Sequence, residues 1–266
     1  MAPAEEVLSL RSSDGFALHA VARFAAPGAP AVVFAHGMSV DLDGEGIFVL
    51  AYNALADLGF SVLRFDFRAH GKSQGESQRD FLVSGELLDL EAALGALRAH
   101  GCGALGLAGA SFGGSLAALY AGMRPGELQA VLLANPLLDF AGILRPSLEW
   151  TRTVYNDIEA ELQAKGYVDF KAEWSTLKMS RRFFEEMAVY SPIQSLRYYQ
   201  GPLLAIHGDR DSMVSLPATQ AAFEALDHPG KRFEVIPGAG HGFHEAAYEP
   251  QVAAMVTDFF QRHLGR

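Results

Sequence analysis

The stretch Ala104–Gly114, ALGLAGASFGG, decides the fold. Its first seven residues are small and apolar without alternation, the pattern of a strand covered on both faces. Gly109-Ala110-Ser111-Phe112-Gly113 then reads G-x-S-x-G, and Ser115–Met123 follows with helical spacing. A serine on so tight a strand-to-helix turn sits in a strained backbone, and small residues on either side let the chains pass. Its hydroxyl is pushed out above the sheet, beside a helix N-terminus that favours developing negative charge. This strand–turn–helix context makes Ser111 the candidate nucleophile.

Outward from the elbow, strands and helices alternate. Upstream, Ala31–Ala35 is a wholly apolar run ending in His36-Gly37, Ile47–Leu58 has helical spacing, and Ser61–Phe65 is a second buried run. Ser84–Ala99 carries Leu87, Leu88, Leu90, Leu94 and Leu97, an amphipathic helix. Downstream, Gln129–Ala134, Pro202–Ile206 and Arg232–Ile236 read as strands, Ala218–Leu226 continues the alternation, and Val252–His263 is a closing helix. Such alternation predicts a mainly parallel sheet with helices on both faces. Val7–Leu10 and Phe16–Phe24, joined through Asp14-Gly15, predict an antiparallel hairpin at one edge.

Asp139–Tyr190 breaks the rhythm. It is far longer than a crossover requires and carries Trp150, Tyr155, Tyr167, Phe170, Trp174, Phe183 and Phe184 among many charges. So many aromatics argue for a folded helical or mixed insertion, not a linker.

A serine hydroxyl needs a base to act as a nucleophile at neutral pH. His241, in the glycine-rich loop before the closing helix, should reach the carboxyl edge of the sheet where Ser111 emerges, and His244 is its rival. An acid should orient the imidazole. Asp209 and Asp211 follow a strand directly, and Asp139 is a third candidate. Acyl transfer also needs donors for its oxyanion. The backbone N–H groups of Phe112, just after the nucleophile, and of Met38, in the loop after the third strand, are the expected pair.

The balance of 21 lysines and arginines against 31 aspartates and glutamates gives a formal charge of −10. That disfavours a nucleic-acid partner, whose phosphates demand cations. Cys102 is the single cysteine, so no intrachain disulfide can form. No apolar run approaches the ~20 residues of a membrane span, and no basic-then-apolar leader opens the chain. The expectation is a cytoplasmic protein.

Taken together, His36-Gly37, Asp66-Phe67-Arg68-Ala69-His70-Gly71-Lys72-Ser73, the serine elbow, His207-Gly208 with Asp211 and Val214, and Gly240-His241 resemble the α/β-hydrolase superfamily. Within it the chain looks most like bacterial carboxylesterases of the cinnamoyl or feruloyl type, although Ala110 and Phe112 stand where those proteins commonly have histidine and glutamine. The resemblance implies an α/β-hydrolase fold, a mostly parallel eight-stranded sheet with an inserted cap. Residues 1–138 and 191–266 would form the core and 139–190 the cap. It selects Asp211 as the acid, leaves His70 structural, and implies ester hydrolysis without cofactor or metal. A small-molecule ester would be the substrate, under a cap giving an apolar or aromatic pocket. A peptidase or thioesterase of the same fold, or a non-catalytic binding protein, are the competing readings. The aromatic insertion could also support a homodimer.

Overall fold

The computed structural model describes residues 3–140, 158–171 and 175–265. An eight-stranded sheet runs through the molecule. Its strands are β1 (Glu6–Arg11), β2 (Ala17–Arg23), β3 (Ala31–Ala35), β4 (Ser61–Phe65), β5 (Leu105–Ala110), β6 (Ala130–Ala134), β9 (Leu203–Gly208) and β10 (Lys231–Ile236). Their spatial order is β1-β2-β4-β3-β5-β6-β9-β10. The hairpin β1–β2 joins antiparallel to β4, and every other pairing is parallel. This is the α/β-hydrolase fold.

The strand side chains alternate between two apolar layers. Val33, Leu63, Leu107, Val131 and Leu133 pack beneath α3 (Val83–Ala99), which follows the short α2 (Ser77–Asp80), and beneath α4 (Phe112–Met123). Val32, Phe34, Val62, Leu132 and Ile206 face α1 (Gly46–Asp57) and the closing helix, α9 (Glu249–Leu264). Burial on both faces explains why these strands are mostly apolar, with Ser61 and Arg64 of β4 and His207 of β9 as buried polar exceptions. The helix after the elbow begins at Phe112, three residues before the periodic run starting at Ser115, because Gly113 and Gly114 are too small to register in the pattern.

Between β6 and β9 the described elements are α5 (Ile158–Lys165), a hairpin of β7 (Tyr167–Lys171) and β8 (Thr176–Ser180), α6 (Arg181–Val189) and the short α7 (Pro192–Ser195). Trp150, Tyr155 and Trp174 lie outside the described residues. Phe183 is fully buried and stacks on Phe81 of the core with ring centroids 4.6 Å apart. Phe112 touches Phe140 and Phe183, each at 5.7 Å. Glu186 of α6 accepts hydrogen bonds from Ser84 N–H (2.9 Å) and Ser84 Oγ (2.8 Å), filling the role of an N-terminal cap for α3. After these elements the chain resumes with α8 (Leu216–Glu224), between β9 and β10.

Candidate active site

Ser111 joins β5 to α4 with φ 51° and ψ −118°, a backbone that an L-residue adopts only under strain. The surroundings hold it there: its N–H donates to Ala134 O at 2.8 Å, and its own carbonyl accepts from Ser115 N–H at 3.2 Å. A Cβ on Gly109 would fall on the backbone of Gly113, and one on Gly113 would fall on the carbonyls of Ala35 and His36. The elbow therefore tolerates no side chain at either flanking position.

Asp211 lies in the loop after β9, its side chain wholly buried. Its Oδ1 accepts from the N–H groups of Met213 and Val214, both at 2.8 Å, and its Oδ2 receives His241 Nδ1 at 2.7 Å. His241 Nε2 stands 2.9 Å from Ser111 Oγ. An imidazole that donates from Nδ1 to a carboxylate presents Nε2 as an acceptor, so the hydroxyl proton points at a lone pair. The other acid candidates are elsewhere. Asp209 is exposed and accepts from Gly238 N–H at 2.6 Å, and Asp139 is exposed after β6. His244 is exposed, three residues beyond His241.

The N–H of Phe112 is the first of α4 and has no helical carbonyl behind it. Neither it nor the N–H of Met38 meets an acceptor among the described residues. The Gly37–Met38 peptide is oriented from its other end. His36 Nε2 must accept from Phe67 N–H (3.1 Å), which leaves Nδ1–H to donate to Gly37 O at 2.7 Å. In a trans peptide the N–H points opposite to the carbonyl, so this bond fixes the direction of Met38 N–H. One residue on, Ser39 N–H donates to His70 Nε2 at 3.3 Å, while His70 Nδ1 lies 2.9 Å from Arg68 O. Both imidazoles are buried, and burial lowers His36 to about 4 and His70 to about 3, the latter helped down by His36. They are neutral hydrogen-bonding spacers, so His70 sits outside the Ser111–His241–Asp211 array. Burial likewise lowers His207, whose Nε2 is 3.5 Å from Asp211 Oδ2, to about 4.

Two residues at this site were missed in the sequence. Asn135, fully buried with φ 44°, donates its Nδ2 to His241 O and accepts from Gly208 N–H at 2.9 Å. It ties the loops after β6 and β9 to the loop carrying His241. Asparagine's tolerance of left-handed backbone was a weak signal at Asn135-Pro136. Glu45 is the second, with no signal in its local pattern.

A cavity of about 750 Å³ is walled by Ser39, Asp41, His70, Ser175, Leu177 and His244 among others. Ser111, His241 and Asp211 are not in its lining, which comes nearest to them in the chain at His244 and Ser39. Its described lining mixes polar side chains with the apolar Val40, Ala69 and Leu177 and holds no Phe, Tyr or Trp; Phe183 and Phe170 pack into the apolar core instead. Among the described residues no group of three or more His, Cys, Asp or Glu is placed to hold a metal ion. No helix of the described residues is long and apolar enough to cross a membrane.

Residues 52–266 match the prolyl oligopeptidase family. The chain belongs to that family. No curated protein matches it significantly. Among solved structures, this prolyl oligopeptidase-family chain is similar to Est1E of Butyrivibrio proteoclasticus, solved with ferulic acid bound. The TM-score is 0.80 at 20% identity, covering 97% of this chain and 100% of that one. It is also similar to an esterase of Pyrococcus furiosus (TM-score 0.72, 21% identity, 98% and 94% covered). An esterase domain of a Rhodothermus marinus protein gives a TM-score of 0.71 at 24% identity, with 98% and 100% covered. At these identities the likeness carries the fold, and the family carries the class, a serine hydrolase. The matched residues begin inside α1, so β3 and the His36–Met38 loop stand on their own geometry.

Proposed function

We propose that the chain hydrolyses carboxylic esters through an acyl-enzyme on Ser111. One observation carries the reading: two consecutive short hydrogen bonds, 2.9 and 2.7 Å, link Ser111 Oγ through His241 to the buried Asp211. In this mechanism His241 Nε2 takes the Ser111 proton as Oγ bonds to the ester carbonyl carbon. The carbonyl oxygen, now an anion, receives the N–H groups of Met38 and Phe112. On collapse the C–O bond to the alcohol breaks, and the alcohol leaves with the proton held on His241. A water then attacks the acyl carbon with His241 again as base, and the acid and free Ser111 are released. Asp211 holds the Nδ1–H tautomer and stabilises the imidazolium without taking the proton itself.

We read residues 139–190 as a cap on a core of residues 1–138 and 191–266, with the acyl or alcohol portion of the substrate in the cavity walled by Ser39 and His244. Esters of small to medium size fit its volume. Peptide hydrolysis is the second reading, favoured by the oligopeptidase description of the matching family.

The test is fluorophosphonate labelling followed by a panel of p-nitrophenyl esters, thioesters and peptide anilides. Wild type should be labelled, and Ser111→Ala should not, with kcat falling about 10⁶-fold. Esters should give the highest kcat/KM. A folded wild type that resists the label would sink the catalytic reading, and a preference for anilides would move the activity to peptides.

A further inference from the structure

Glu45 immediately precedes α1, where a carboxylate ordinarily accepts the free N–H groups of the first turn. It does not do so. Its backbone carbonyl receives Phe48 N–H at 2.8 Å and Val49 N–H at 3.1 Å, but its side chain makes no capping bond. Instead the carboxylate turns back across the loop, and Oε1 accepts Gly37 N–H at 3.1 Å. A Cβ built on Gly37 would lie 2.9 Å from Glu45 Oε1 and 3.2 Å from Ser111 Cβ. Gly37 is thus a single residue's thickness between Glu45 and the nucleophile. Glu45 is buried, and burial pushes its carboxyl up from the usual range. The proximity of His241, the hydrogen bond from Gly37 N–H and the proximity of His244 act the other way.

The consequence concerns Met38. Its N–H belongs to the peptide unit directly after Gly37. The carbonyl of that unit is held by His36, and the N–H of the unit before it is held by Glu45. Gly37 N–H is engaged by Glu45 and Ser39 N–H by His70, while Met38 N–H between them meets no acceptor among the described residues and is left to face the carbonyl oxygen of a substrate on Ser111. We propose that Glu45 is a positioning residue for the oxyanion site, acting through Gly37 N–H to fix the Met38 N–H. The inference rests on the ester-hydrolase reading above.

It is tested with Glu45→Ala, Glu45→Gln and Glu45→Asp in the full chain. Turnover of p-nitrophenyl acetate is normalised to fluorophosphonate-titrated sites, and inhibition by a phenylboronic acid reports binding of a tetrahedral oxyanion. Removing the acceptor should lower kcat about 10- to 100-fold, because a displaced donor loses its value mainly in the transition state. KM should stay within about two-fold, and the boronate Ki should rise by the factor that kcat falls. Glu45→Gln keeps a carbonyl acceptor and should retain at least about a third of kcat, since loss of one charge leaves the Gly37 bond in place. Glu45→Asp withdraws the acceptor by one methylene and should resemble Glu45→Ala, so it carries the test if the alanine variant does not fold.

The proposal is overturned if either truncation leaves kcat per titrated site and boronate Ki at wild-type values. It is equally overturned if Glu45→Gln is as impaired as Glu45→Ala, which would make charge, not the acceptor, the active property. A wild type inert to fluorophosphonate would refute the hydrolase reading instead, before any Glu45 variant is compared.

Discussion

The loop His36–Glu45 and the strand β8 face one another across the same cavity, and their backbones are held in opposite ways. On the loop, backbone N–H groups are taken one after another by buried side chains: Gly37 by Glu45, Ser39 by His70 and Leu42 by Asp66. On β8 the backbone pairs with β7, and the side chains alternate, with Leu177 and Met179 inward and Thr176 and Lys178 outward. That hairpin and its flanking helices meet the core through apolar surface, notably Phe183, and through a few polar anchors such as Ser175 Oγ on Ser39 O at 2.7 Å. A buried polar network tolerates no missing partner, whereas an apolar face tolerates exchange of shape. Under the proposed function, the core side would hold the reacting atoms in place and the opposite side would set the size and chemistry of what enters.

Changes on the core side should accordingly strike turnover. Asp211→Asn leaves the shape of the site intact but loses the carboxylate that selects the His241 tautomer, so kcat should fall about 10⁴-fold with the fold preserved. The neighbouring Asp209→Asn, exposed on the Gly238 turn, should stay within about two-fold in the same assay, as surface changes usually do. Equal losses in the two variants would erase the distinction between the acids.

On the opposite side, Phe183→Ala empties a fully buried ring site between the 158–190 segment and Phe81. Denaturant unfolding should show a loss of about 3–5 kcal/mol. In the folded fraction kcat should persist and KM should rise. A collapse of kcat with unchanged KM would show that the aromatic cluster acts on Ser111 itself, through Phe112.

The smallest expected effect separates the two sides by pH. His70 is held neutral by burial at about 3, against about 6.5 in the unfolded chain. Between these values the unfolded chain binds more protons, so stability is full above about pH 6.5 and is lost as pH falls toward the folded value. At pH 5 this one imidazole contributes a loss of about 2 kcal/mol relative to pH 7. Glu86 faces His70 Nδ1 at 3.6 Å, but burial raises its carboxyl well above the usual range, and a neutral pair of this kind is no ion pair. Glu86 works in the opposite direction, its stabilisation fading as pH rises. The comparison is therefore wild type against His70→Gln, whose unfolding free energy should fall less between pH 7 and pH 5. The exposed pairs Arg181–Glu159 and Lys165–Glu161 of the opposite side should add little to either curve.

What could be read from the residues follows the same division. Strands buried on both faces carry a dense apolar signature, broken only by Ser61 and Arg64 in β4 and His207 in β9, so β3 to β6 and β9 were legible, and the glycines around Ser111 announced a backbone only they permit. The acid was not settled locally: Asp209 and Asp211 follow the same strand two residues apart, and only the resemblance chose between them. The structure shows why they differ, since the turn after β9 sends Asp211 inward onto two backbone N–H groups and Asp209 outward to Gly238.

Ser111, its elbow and the order of the loops around it were thus determined by local sequence, because strain, small residues and apolar periodicity are properties of neighbouring residues. Glu45 and Asn135 were decided by tertiary structure alone. Glu45 reaches Gly37 only because its loop folds back on itself, and Asn135 reaches across 106 positions to the His241 carbonyl. No pattern in a single stretch records a hydrogen bond made only when the sheet brings its loops together.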